Sequence, residues 1–279
     1  MNHVYIIAEI GINHQGSLDL FKKMILEAKR CGADAVKGQK RSPRECLTAE
    51  QFARPYESPH AFGRTYGEHK EALEFDHEEW KELLTFADGN GIPLFASVFD
   101  ITSARCMAEL GVDMIKLGSA EVTALPLIEE ISNYDLPTFI STGMSNLEEI
   151  DQAFELLRES NLTLMHTTSC YPCDLEHVNL RVISTLRERY DRPIGFSCHF
   201  PGVGGVDCAA VALGAVAIER HFTLDRTMKG TDQSASLEPH GFETMVRRVR
   251  AIEQCLGSNE KRVLECELPT RNKTRTPSQ

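Results

Sequence analysis

Two histidines stand at matching places late in the sequence. His199 ends the apolar run IGFSCH and His221 ends the run VAIERH, and the stretch VDCAAVALGA between them is rich in small residues. Two short strands joined by a closely packed helix would bring both imidazoles to the same edge of a parallel sheet. Two convergent imidazoles, with water and a substrate oxygen, suffice to hold a divalent metal. A single histidine more often satisfies a local hydrogen bond, but the matched pair favours a metal site.

Two lysines interrupt otherwise apolar strands. Lys37 lies within AVKGQK and Lys116 within MIKLGS. A buried ammonium group is costly unless a carboxylate or a ligand anion compensates it. Serines also lie at the ends of neighbouring strands, namely Ser119, Ser141 and Ser197. Together these groups could hold a phosphate and a carboxylate, and we favour such an anion site. The alternative is that the lysines pair with carboxylates of the sheet itself, the candidates being Glu9, Glu121 and Glu219.

An alternating series of strands and helices must position these residues. The series starts with the apolar segment VYIIAEIG (4–11) and a segment of helical spacing at 17–32, and it contains eight strand–helix units. Continuous apolar strands are typical of a parallel sheet buried on both faces. Eight units within roughly 250 residues predict an α/β fold, a (β/α)8 TIM barrel. An open sheet is disfavoured because EIGINHQG lacks the GxGxxG spacing of a nucleotide-binding turn.

Two segments fall outside the repeating units. The first is an excursion between the second strand and the second helix, residues 41–75, which contains Pro43, Pro55 and Pro59 and is too irregular for a regular crossover. The second is the segment after residue 258, which is polar and has no hydrophobic period. We therefore expect one catalytic barrel over residues 1–258 and a tail without a folded domain over residues 259–279.

The active site of a TIM barrel lies at the carboxyl ends of its strands. The polar candidates at those positions are Glu9, Asn13, Lys37, Gln39, Ser97, Lys116, Ser119, Glu121, Ser141, Thr142, Ser169, Tyr171, Ser197, His199, Glu219 and His221. In a closed barrel their side chains would converge on one rim.

Composition limits the range of functions. The formal net charge is −11 and no basic stripe offsets it, which argues against a nucleic-acid partner. No apolar stretch reaches the length of a membrane span, and the first residues have no signal-peptide pattern, so we expect no membrane association. Nine scattered cysteines argue against a disulfide framework and for the reducing cytoplasm. The pair Cys170 and Cys173 lacks a second pair that would complete a zinc site.

Several ordered motifs carry a family resemblance over residues 4 to about 267. They are AEIGINHQGSLDLFKKMI, GADAVKGQKR, YGEHKEALEF, IKLGSAEVTALPLI, STGMSNLEEI, TTSCYP, VNLRVISTL, ALGAVAIERHFTLD and GTDQSASLEP. With these motifs the chain resembles the sialic acid synthases, barrel enzymes that condense phosphoenolpyruvate with an amino sugar. In that chemistry C3 of phosphoenolpyruvate attacks the aldehyde carbon of the open-chain sugar, water adds at C2, and the tetrahedral intermediate expels phosphate. The resemblance implies two small-molecule substrates, phosphoenolpyruvate and an aldose.

The resemblance also implies roles for single residues. The phosphoenolpyruvate site would comprise Lys37, Ser97, Lys116, Ser119, Ser141 and Ser197. The residues facing the sugar or the reacting centre would be the substrate-binding Gln39 and the catalytic Glu9, Glu121, Tyr171 and Asp232. Ser169, at a ligand-binding position of the family, and Glu219, at the end of the eighth strand, complete the substrate-binding set. His199 and His221 would hold the divalent metal, with Mn²⁺ the usual ion and Mg²⁺ or Co²⁺ the alternatives.

The chain departs from the family at several points. Gly38 replaces a phenylalanine, Ser169 an asparagine, and Cys198 the acidic residue before the first metal histidine. The family's C-terminal domain, which is related to fish antifreeze protein and supplies an arginine to the sugar pocket across a dimer, has no recognisable counterpart in the sequence. We therefore expect an open sugar pocket, enlarged at Gly38, with the excursion from Arg41 to Glu74 as its cover within a homodimer. A separately encoded lid protein is the alternative.

Two other functions compete with the synthase. A metal-dependent lyase or hydrolase on the same barrel would use both histidines and a carboxylate, but it leaves both lysines unexplained. A non-catalytic sugar-binding homologue is compatible with the departures, yet the histidines, the lysines and Asp232 are all present. The acceptor also stays open, the candidates being N-acetylmannosamine, its 6-phosphate, a bacillosamine-type dideoxy sugar or a smaller aldehyde.

Overall fold

Eight parallel strands form a closed barrel in the computed structural model, which describes residues 3–203 and 205–276. The strands are β1 (Tyr5–Gly11), β2 (Ala35–Lys40), β3 (Leu94–Val98), β4 (Ile115–Leu117), β5 (Thr138–Ser141), β6 (Leu162–His166), β7 (Ile194–Cys198) and β8 (Ala217–His221). Each strand pairs with the next in the sequence, and β8 closes onto β1. The predicted (β/α)8 TIM barrel is confirmed.

Helices surround the barrel. They are α1 (Leu18–Arg30), α2 (Pro43–Cys46), α3 (Ala49–Ala53), α4 (Tyr66–Glu71), α5 (His77–Gly89), α6 (Ile101–Glu109), α7 (Leu125–Ser132), α8 (Leu147–Leu156), α9 (Val182–Tyr190), α10 (Gly205–Ala212), α11 (Pro239–Leu256) and α12 (Leu268–Thr274). Side-chain caps fix several of the starts: Ser17 caps α1, and Asp76 and Asn146 form capping boxes at α5 and α8. The start of α1 lies within one residue of the predicted segment 17–32. Caps fix these starts because a capping side chain satisfies backbone N–H groups that the first turn leaves unpaired.

The strands alternate between two faces, and this alternation builds two apolar cores. Outward residues such as Ile6, Ala8 and Ile10 of β1 join a large cluster beneath the helices. Inward residues form a small plug inside the barrel, made of Ile7, Ala35, Phe95, Phe139, Met165 and Ala217. The next inward positions along β1 and β2 are Glu9 and Lys37, both buried. The polar site therefore lies one layer above the plug, at the carboxyl ends of the strands.

Gly38 belongs to the helix layer and not to the cavity. Its neighbour Lys37 points into the barrel, so position 38 points outward. A Cβ atom at Gly38 would lie 2.9 Å from Cη2 of Trp80 and 3.0 Å from Cζ of Phe21, both fully buried under the helices. The expectation that Gly38 enlarges the sugar pocket is wrong, because the rings of Trp80 and Phe21 occupy the space into which a side chain here would extend.

The excursion over residues 41–75 is more regular than predicted. It contains the three short helices α2, α3 and α4, and an isolated antiparallel bridge joins Pro55 to Thr65. Its own small core surrounds the buried His69, whose ring centroid lies 4.7 Å from that of Tyr56 and 5.9 Å from that of Phe62. The excursion is therefore a folded part of the barrel rim.

The excursion also reaches the loop that follows β8. The Gly230 N–H donates to Nδ1 of His60 at 3.2 Å. The Lys229 ammonium lies 4.5 Å from the ring centroid of Phe62. The two loops therefore close one side of the barrel mouth together.

The segment from residue 258 to residue 276 is exposed along its whole length. It contains the short helix α12, which the sequence did not predict, and the boundary after residue 258 stays a prediction. Among the helices that the structure describes, none combines the length and the apolar character that a membrane crossing would need.

Candidate active site

One cavity of about 310 Å³ opens at the carboxyl rim of the barrel. The residues to which the family resemblance gives a role all line it, namely Glu9, Lys37, Gln39, Ser97, Lys116, Ser119, Glu121, Ser141, Ser169, Tyr171, Ser197, His199, Glu219, His221 and Asp232. Of the other polar candidates, Thr142 lines a neighbouring cavity. The convergence follows from the strand ends meeting at one rim, while the roles of the single residues stay predictions. Asn13 is different: its side-chain amide is buried and donates to the Phe222 carbonyl and to Ser236, so it fastens the loop after β1.

Four charged side chains form a buried network at the floor of the cavity. The Lys37 ammonium lies 2.6 Å from Oε2 of Glu9, and the Lys116 ammonium lies 2.6 Å from Oε1 of Glu219. Lys37 is also 3.9 Å from Glu219, which joins the two pairs. The pairing with carboxylates that the sequence left as an alternative is therefore present, with Glu9 and Glu219 as the partners.

The paired lysines keep hydrogen-bond donors for a ligand. An ammonium group has three N–H donors. Lys37 directs two of them to Glu9 and to Oγ of Ser97, the latter at 2.7 Å, and Lys116 directs one to Glu219. Because both lysines line the cavity, the remaining N–H groups are available to an anion there.

The carboxyl groups of the cavity differ in their protonation. Burial alone would raise the pKa of Glu219, but the ammonium groups of Lys116 and Lys37 outweigh this and lower it, so Glu219 is ionised. Burial lowers the pKa of Lys116, and the Glu219 carboxylate opposes that effect. Burial raises the pKa of Glu121 to about 7, and the charge of Arg41 offsets this only in part. Glu121 is thus the carboxyl group that can exchange a proton at neutral pH.

Hydroxyl groups from the ends of β4 and β6 converge on Gly143, which follows β5. The Gly143 N–H donates to Oγ of Ser119 at 3.2 Å. A Cβ atom at Gly143 would lie 2.3 Å from Oγ of Ser169 and 2.8 Å from Oγ of Ser119. Only a glycine allows the loop after β5 to approach these hydroxyls so closely. Ser169 Oγ is buried without a protein partner, which leaves a donor for a ligand on this side of the cavity.

The two histidines face each other across the end of the β7–β8 pair, with ring centroids 5.4 Å apart. Nδ1 of His199 lies 3.0 Å from the Thr168 carbonyl oxygen. Because a carbonyl only accepts hydrogen bonds, Nδ1 carries the proton and the lone pair of Nε2 is free. Burial, followed by the charge of His221, lowers the pKa of His199 to about 3, so its imidazole is neutral.

His221 and its surroundings fit a metal ligand. Its Nδ1 atom is buried without a hydrogen-bond partner and lies 3.8 Å from Oδ2 of Asp232. A neutral imidazole, an orphaned ring nitrogen and a nearby carboxylate are donors that divalent transition metals accept. Over residues 3–203 and 205–276 no group of three or more such side chains stands at metal-binding distances. A metal held by the two histidines would therefore complete its shell with water and substrate oxygens.

Tyr171 forms part of the mouth above the histidines. Its ring lies 3.9 Å from the centroid of His199 and meets the ring of His221 edge-on at 5.8 Å. The side chain is also half exposed, so it can touch both a group at the histidines and a ligand that enters from solvent. Tyr171 thus packs against both imidazoles from the solvent side.

A buried arginine that the sequence analysis missed holds the histidine-bearing segments together from behind. Arg220 of β8 points outward and donates from one nitrogen to both oxygens of Asp207 in α10, at 3.0 and 2.8 Å. Its other terminal nitrogen donates to the carbonyls of Phe200 and Gly202, in the loop after His199. The sequence signal that could have identified Arg220 is its positive charge within the otherwise mostly apolar run of β8. This pair fixes the end of β7 against β8 and so fixes the two imidazoles relative to each other.

Two cations from the excursion also line the cavity, Arg41 and Lys70. Nε of Arg41 lies 3.0 Å from Oε1 of Glu74, and the guanidinium lies 4.0 Å from the ring centroid of Phe99. Lys70 of α4 stands 5.2 Å from the ring centroid of Tyr66. Neither residue was among the predicted site residues. The sequence of the excursion has no regular hydrophobic period, so it did not predict the fold that places Arg41 and Lys70 here.

Comparison with known proteins identifies the family. Residues 24–261 match the NeuB family. The chain is 43% identical over 272 residues to human N-acetylneuraminate-9-phosphate synthase, covering 96% of the chain and 76% of that protein. It is 36% identical to N,N'-diacetyllegionaminic acid synthase of Campylobacter jejuni, over 96% of the chain and 81% of that protein. The crystal structure of an N-acetylneuraminic acid synthetase from Leptospira borgpetersenii superposes with a TM-score of 0.86 at 31% identity, covering 99% and 94% of the two chains. The resemblance to the sialic acid synthases is thereby confirmed, and the chain belongs to the NeuB family.

Proposed function

We propose that this protein is a synthase that condenses phosphoenolpyruvate with an aldose, giving a 2-keto-3-deoxy sugar acid and phosphate. The observation that carries the proposal is one cavity that joins a lysine-based anion site to two convergent imidazoles. The names of the relatives, which are sialic and legionaminic acid synthases, support the same reaction. A metal-dependent lyase or hydrolase would need the histidines but not the lysines.

The floor of the cavity would bind phosphoenolpyruvate. The remaining N–H groups of Lys37 and Lys116 meet its phosphate and carboxylate, and hydroxyls of the strand ends complete the site, namely Ser97, Ser119, Ser141, Ser169 and Ser197. Charge-assisted hydrogen bonds of this kind are about twice as strong as neutral ones. A substrate held at several points presents one face of its C2–C3 double bond to the aldehyde. This lowers the entropic part of the activation barrier.

The reaction then balances as follows. C3 of phosphoenolpyruvate forms a bond to the aldehyde carbon, whose oxygen takes up a proton. Water adds to C2 and loses one proton, which leaves a C2 hydroxyl beside the phosphate ester. The bond from C2 to the phosphate oxygen then breaks while the hydroxyl gives up its remaining proton to the leaving phosphate, so that hydrogen phosphate departs and a keto group remains. Glu121 can supply a proton at neutral pH because its pKa is raised to about 7. Glu9, Asp232 and Tyr171 flank the reacting carbons, and Gln39 and Glu219 hold the substrates.

His199 and His221 would hold a divalent metal, for which we propose Mn²⁺, with Mg²⁺ and Co²⁺ as substitutes. When bound, such an ion acts as a Lewis acid on the aldehyde oxygen. The contribution of the chain is to keep the His199 imidazole neutral through burial, and to orient the two histidines through the Thr168 carbonyl on one side and the Arg220–Asp207 pair behind the strands.

The excursion would cover the sugar end of the cavity within a homodimer. Its contacts with the loop after β8, through His60 and Phe62, support self-coverage. Replacing residues 52–66 by a Gly/Ser linker should raise the KM for the aldose while metal binding stays intact. Unchanged aldose kinetics would instead favour a separate lid protein. A cytoplasmic location suits the nine free cysteines.

The test is phosphate release from phosphoenolpyruvate with and without a panel of aldoses. We expect release only when an aldose of the panel is present, and none in a Lys37→Met control. Release without any aldose would indicate a hydrolase. Cleavage of sugar acids without phosphoenolpyruvate would indicate a lyase, and ligand binding without turnover would indicate a non-catalytic homologue.

A further inference from the structure

We propose that Arg41 and Glu74 are positioning residues of the condensation, which act on its reacting centre through the side-chain amide of Gln39 and the carboxylate of Glu9. The inference rests on the proposed function and adds two residues that do not belong to its binding or catalytic sets. Both lie near the ends of the excursion, Arg41 where it leaves β2 and Glu74 shortly before α5.

A continuous series of polar contacts joins Glu74 to the floor of the cavity. Oε2 of Glu74 accepts from the backbone N–H of Arg41 at 2.9 Å, and Oε1 lies 3.0 Å from its Nε atom. One terminal nitrogen of Arg41 donates to Oε1 of Gln39, and Nε2 of Gln39 donates to Oε1 of Glu9 at 3.1 Å. The other oxygen of Glu9 lies 2.6 Å from the Lys37 ammonium. The guanidinium therefore reaches the reacting centre through one amide and one carboxylate.

Arg41 determines which end of the Gln39 amide faces Glu9. A guanidinium only donates hydrogen bonds, so it selects the amide oxygen, and this turns the amide NH2 group towards the carboxylate. Without the guanidinium the amide could turn over and place its oxygen against the Glu9 carboxylate, where two acceptors would repel each other. The hydrogen bond from Gln39 thus orients the Glu9 carboxylate only while Arg41 is in place.

Glu74 and an aromatic ring hold the guanidinium in one orientation. Only 9% of the Arg41 side chain and 9% of the Glu74 side chain are exposed. The guanidinium also lies 4.0 Å from the ring centroid of Phe99. A planar fork that is paired with a carboxylate and stacked on a ring has a defined direction, which the single ammonium of a lysine does not reproduce. The orientation of the Gln39 amide therefore depends on both Arg41 and Glu74.

The end of this series lies against a second carboxylate of the reacting centre. Gly11 adopts a left-handed conformation at the end of β1, with φ +56°. A Cβ atom at Gly11 would lie 3.2 Å from Oε1 of Glu9 and 3.3 Å from Nε2 of Gln39. The same atom would lie 3.4 Å from Oδ2 of Asp232. The Gln39–Glu9 hydrogen bond and Asp232 thus border one small space, so a turned amide would disturb both carboxylates.

The charge of Arg41 has a separate effect, which has to be distinguished from positioning. Burial raises the pKa of Glu121 to about 7, and the charges of Arg41 and Lys116 act against this. Loss of the Arg41 charge would therefore raise the pKa of Glu121 further and move the alkaline limb of the rate to higher pH. On the plateau below that limb, the rate reports the geometry of the reacting centre instead.

The test is a double-mutant cycle of Arg41→Gln and Gln39→Leu. The readout is the plateau rate of phosphate release below the alkaline limb, in single turnovers with enzyme in excess so that slow variants are measured. Arg41→Gln should lower this rate about 10- to 100-fold when Gln39 is present, the effect of a misplaced reacting group. In the Gln39→Leu background it should have little further effect, because the link through which Arg41 acts is already gone.

Three single variants complete the experiment. Arg41→Lys keeps the charge but not the fork, so its alkaline limb should stay in place while its plateau rate falls. Glu74→Gln should lower the plateau rate because it holds Arg41 less firmly, and it replaces Arg41→Gln in the cycle if that variant does not fold. Arg44→Gln, at an exposed arginine of α2, should match the wild type.

Three results would overturn the inference. One is an Arg41→Gln variant, folded as judged by its thermal transition, with the plateau rate of the wild type. Another is an Arg41→Gln effect of the same size in the Gln39→Leu background, which would mean that Arg41 acts on a substrate directly. The third is an Arg41→Lys variant with the wild-type plateau rate, which would leave charge as the only requirement.

All three results leave the proposed condensation standing, since phosphate release would still depend on an aldose. A wild type that releases no phosphate with any aldose of the panel would instead overturn the proposed function, and with it the positioning roles.

Discussion

Replacement of Lys116 by methionine separates two explanations of the buried lysines. In the first, the ammonium group binds phosphoenolpyruvate. In the second, it serves only to neutralise Glu219, whose Oε1 lies 2.6 Å away. Under the first explanation, loss of one charge-assisted contact of about 1.5–3 kcal/mol weakens phosphoenolpyruvate binding about 10- to 150-fold.

The same substitution should lower the free energy of unfolding. It leaves the Glu219 carboxylate buried with Ser197 Oγ at 3.2 Å and the Lys37 ammonium at 3.9 Å as its remaining partners. Breaking a buried ion pair from one side costs about 3–5 kcal/mol. A loss of affinity in Lys116→Met alone is therefore ambiguous, because the cavity floor also changes.

The Glu219→Gln background resolves the ambiguity. In Lys116→Met/Glu219→Gln both charges are gone, so the stability cost of removing the lysine shrinks. Phosphoenolpyruvate affinity, measured by calorimetric titration, should still fall when Lys116→Met is added to Glu219→Gln. If the lysine substitution costs no affinity in that background, Lys116 only neutralises Glu219 and the reasoning about the anion site fails.

Three further predictions concern the metal site, the helix layer and proton transfer. His221→Ala should lower the Mn²⁺ content of the reconstituted protein, measured by mass spectrometry, whereas the exposed His240→Ala should not; equal content would remove the histidine from the ligand set. Gly38→Ala should lower the free energy of unfolding by about 1–3 kcal/mol through its clash with Trp80 and leave the aldose KM unchanged, and a urea titration with no shift would contradict this. Because burial raises the pKa of Glu121 to about 7 and the acid form donates the proton, kcat should fall as pH rises through about 7. A pH profile that keeps this limb in Glu121→Gln would assign it to another group.

The floor of the cavity was predictable because it follows from strand geometry. Lys37 and His221 lie on inward positions at strand ends, and the order of the strands alone brings such positions together. The same alternation could have corrected the error at Gly38. Since the side chain of Lys37 points inward, a side chain at position 38 points outward. The family resemblance indicated that a phenylalanine ring is absent at this position, but not that the ring would lie outside the cavity.

The mouth of the cavity was not predictable in the same way. Arg41 and Lys70 reach it through an excursion whose fold depends on packing around His69 and on contacts with the loop after β8. No periodic pattern reports such contacts. Arg220 was missed for a related reason: its partners Asp207 and two backbone carbonyls become neighbours only when α10 packs against the barrel.

The separate core of the excursion bears on how new specificities arise on this barrel. The segment packs partly around its own histidine and aromatic rings, and it also contacts the loops after β3 and β8. The strands that carry the lysines and the histidines are held from inside by the plug and from behind by the Arg220–Asp207 pair. On the proposed function, acceptor choice and bond formation would thus depend on different sets of contacts. We expect that an excursion taken from a relative and grafted after Arg41 would change which sugar enters while the lysine–glutamate pairs of the floor stay in place.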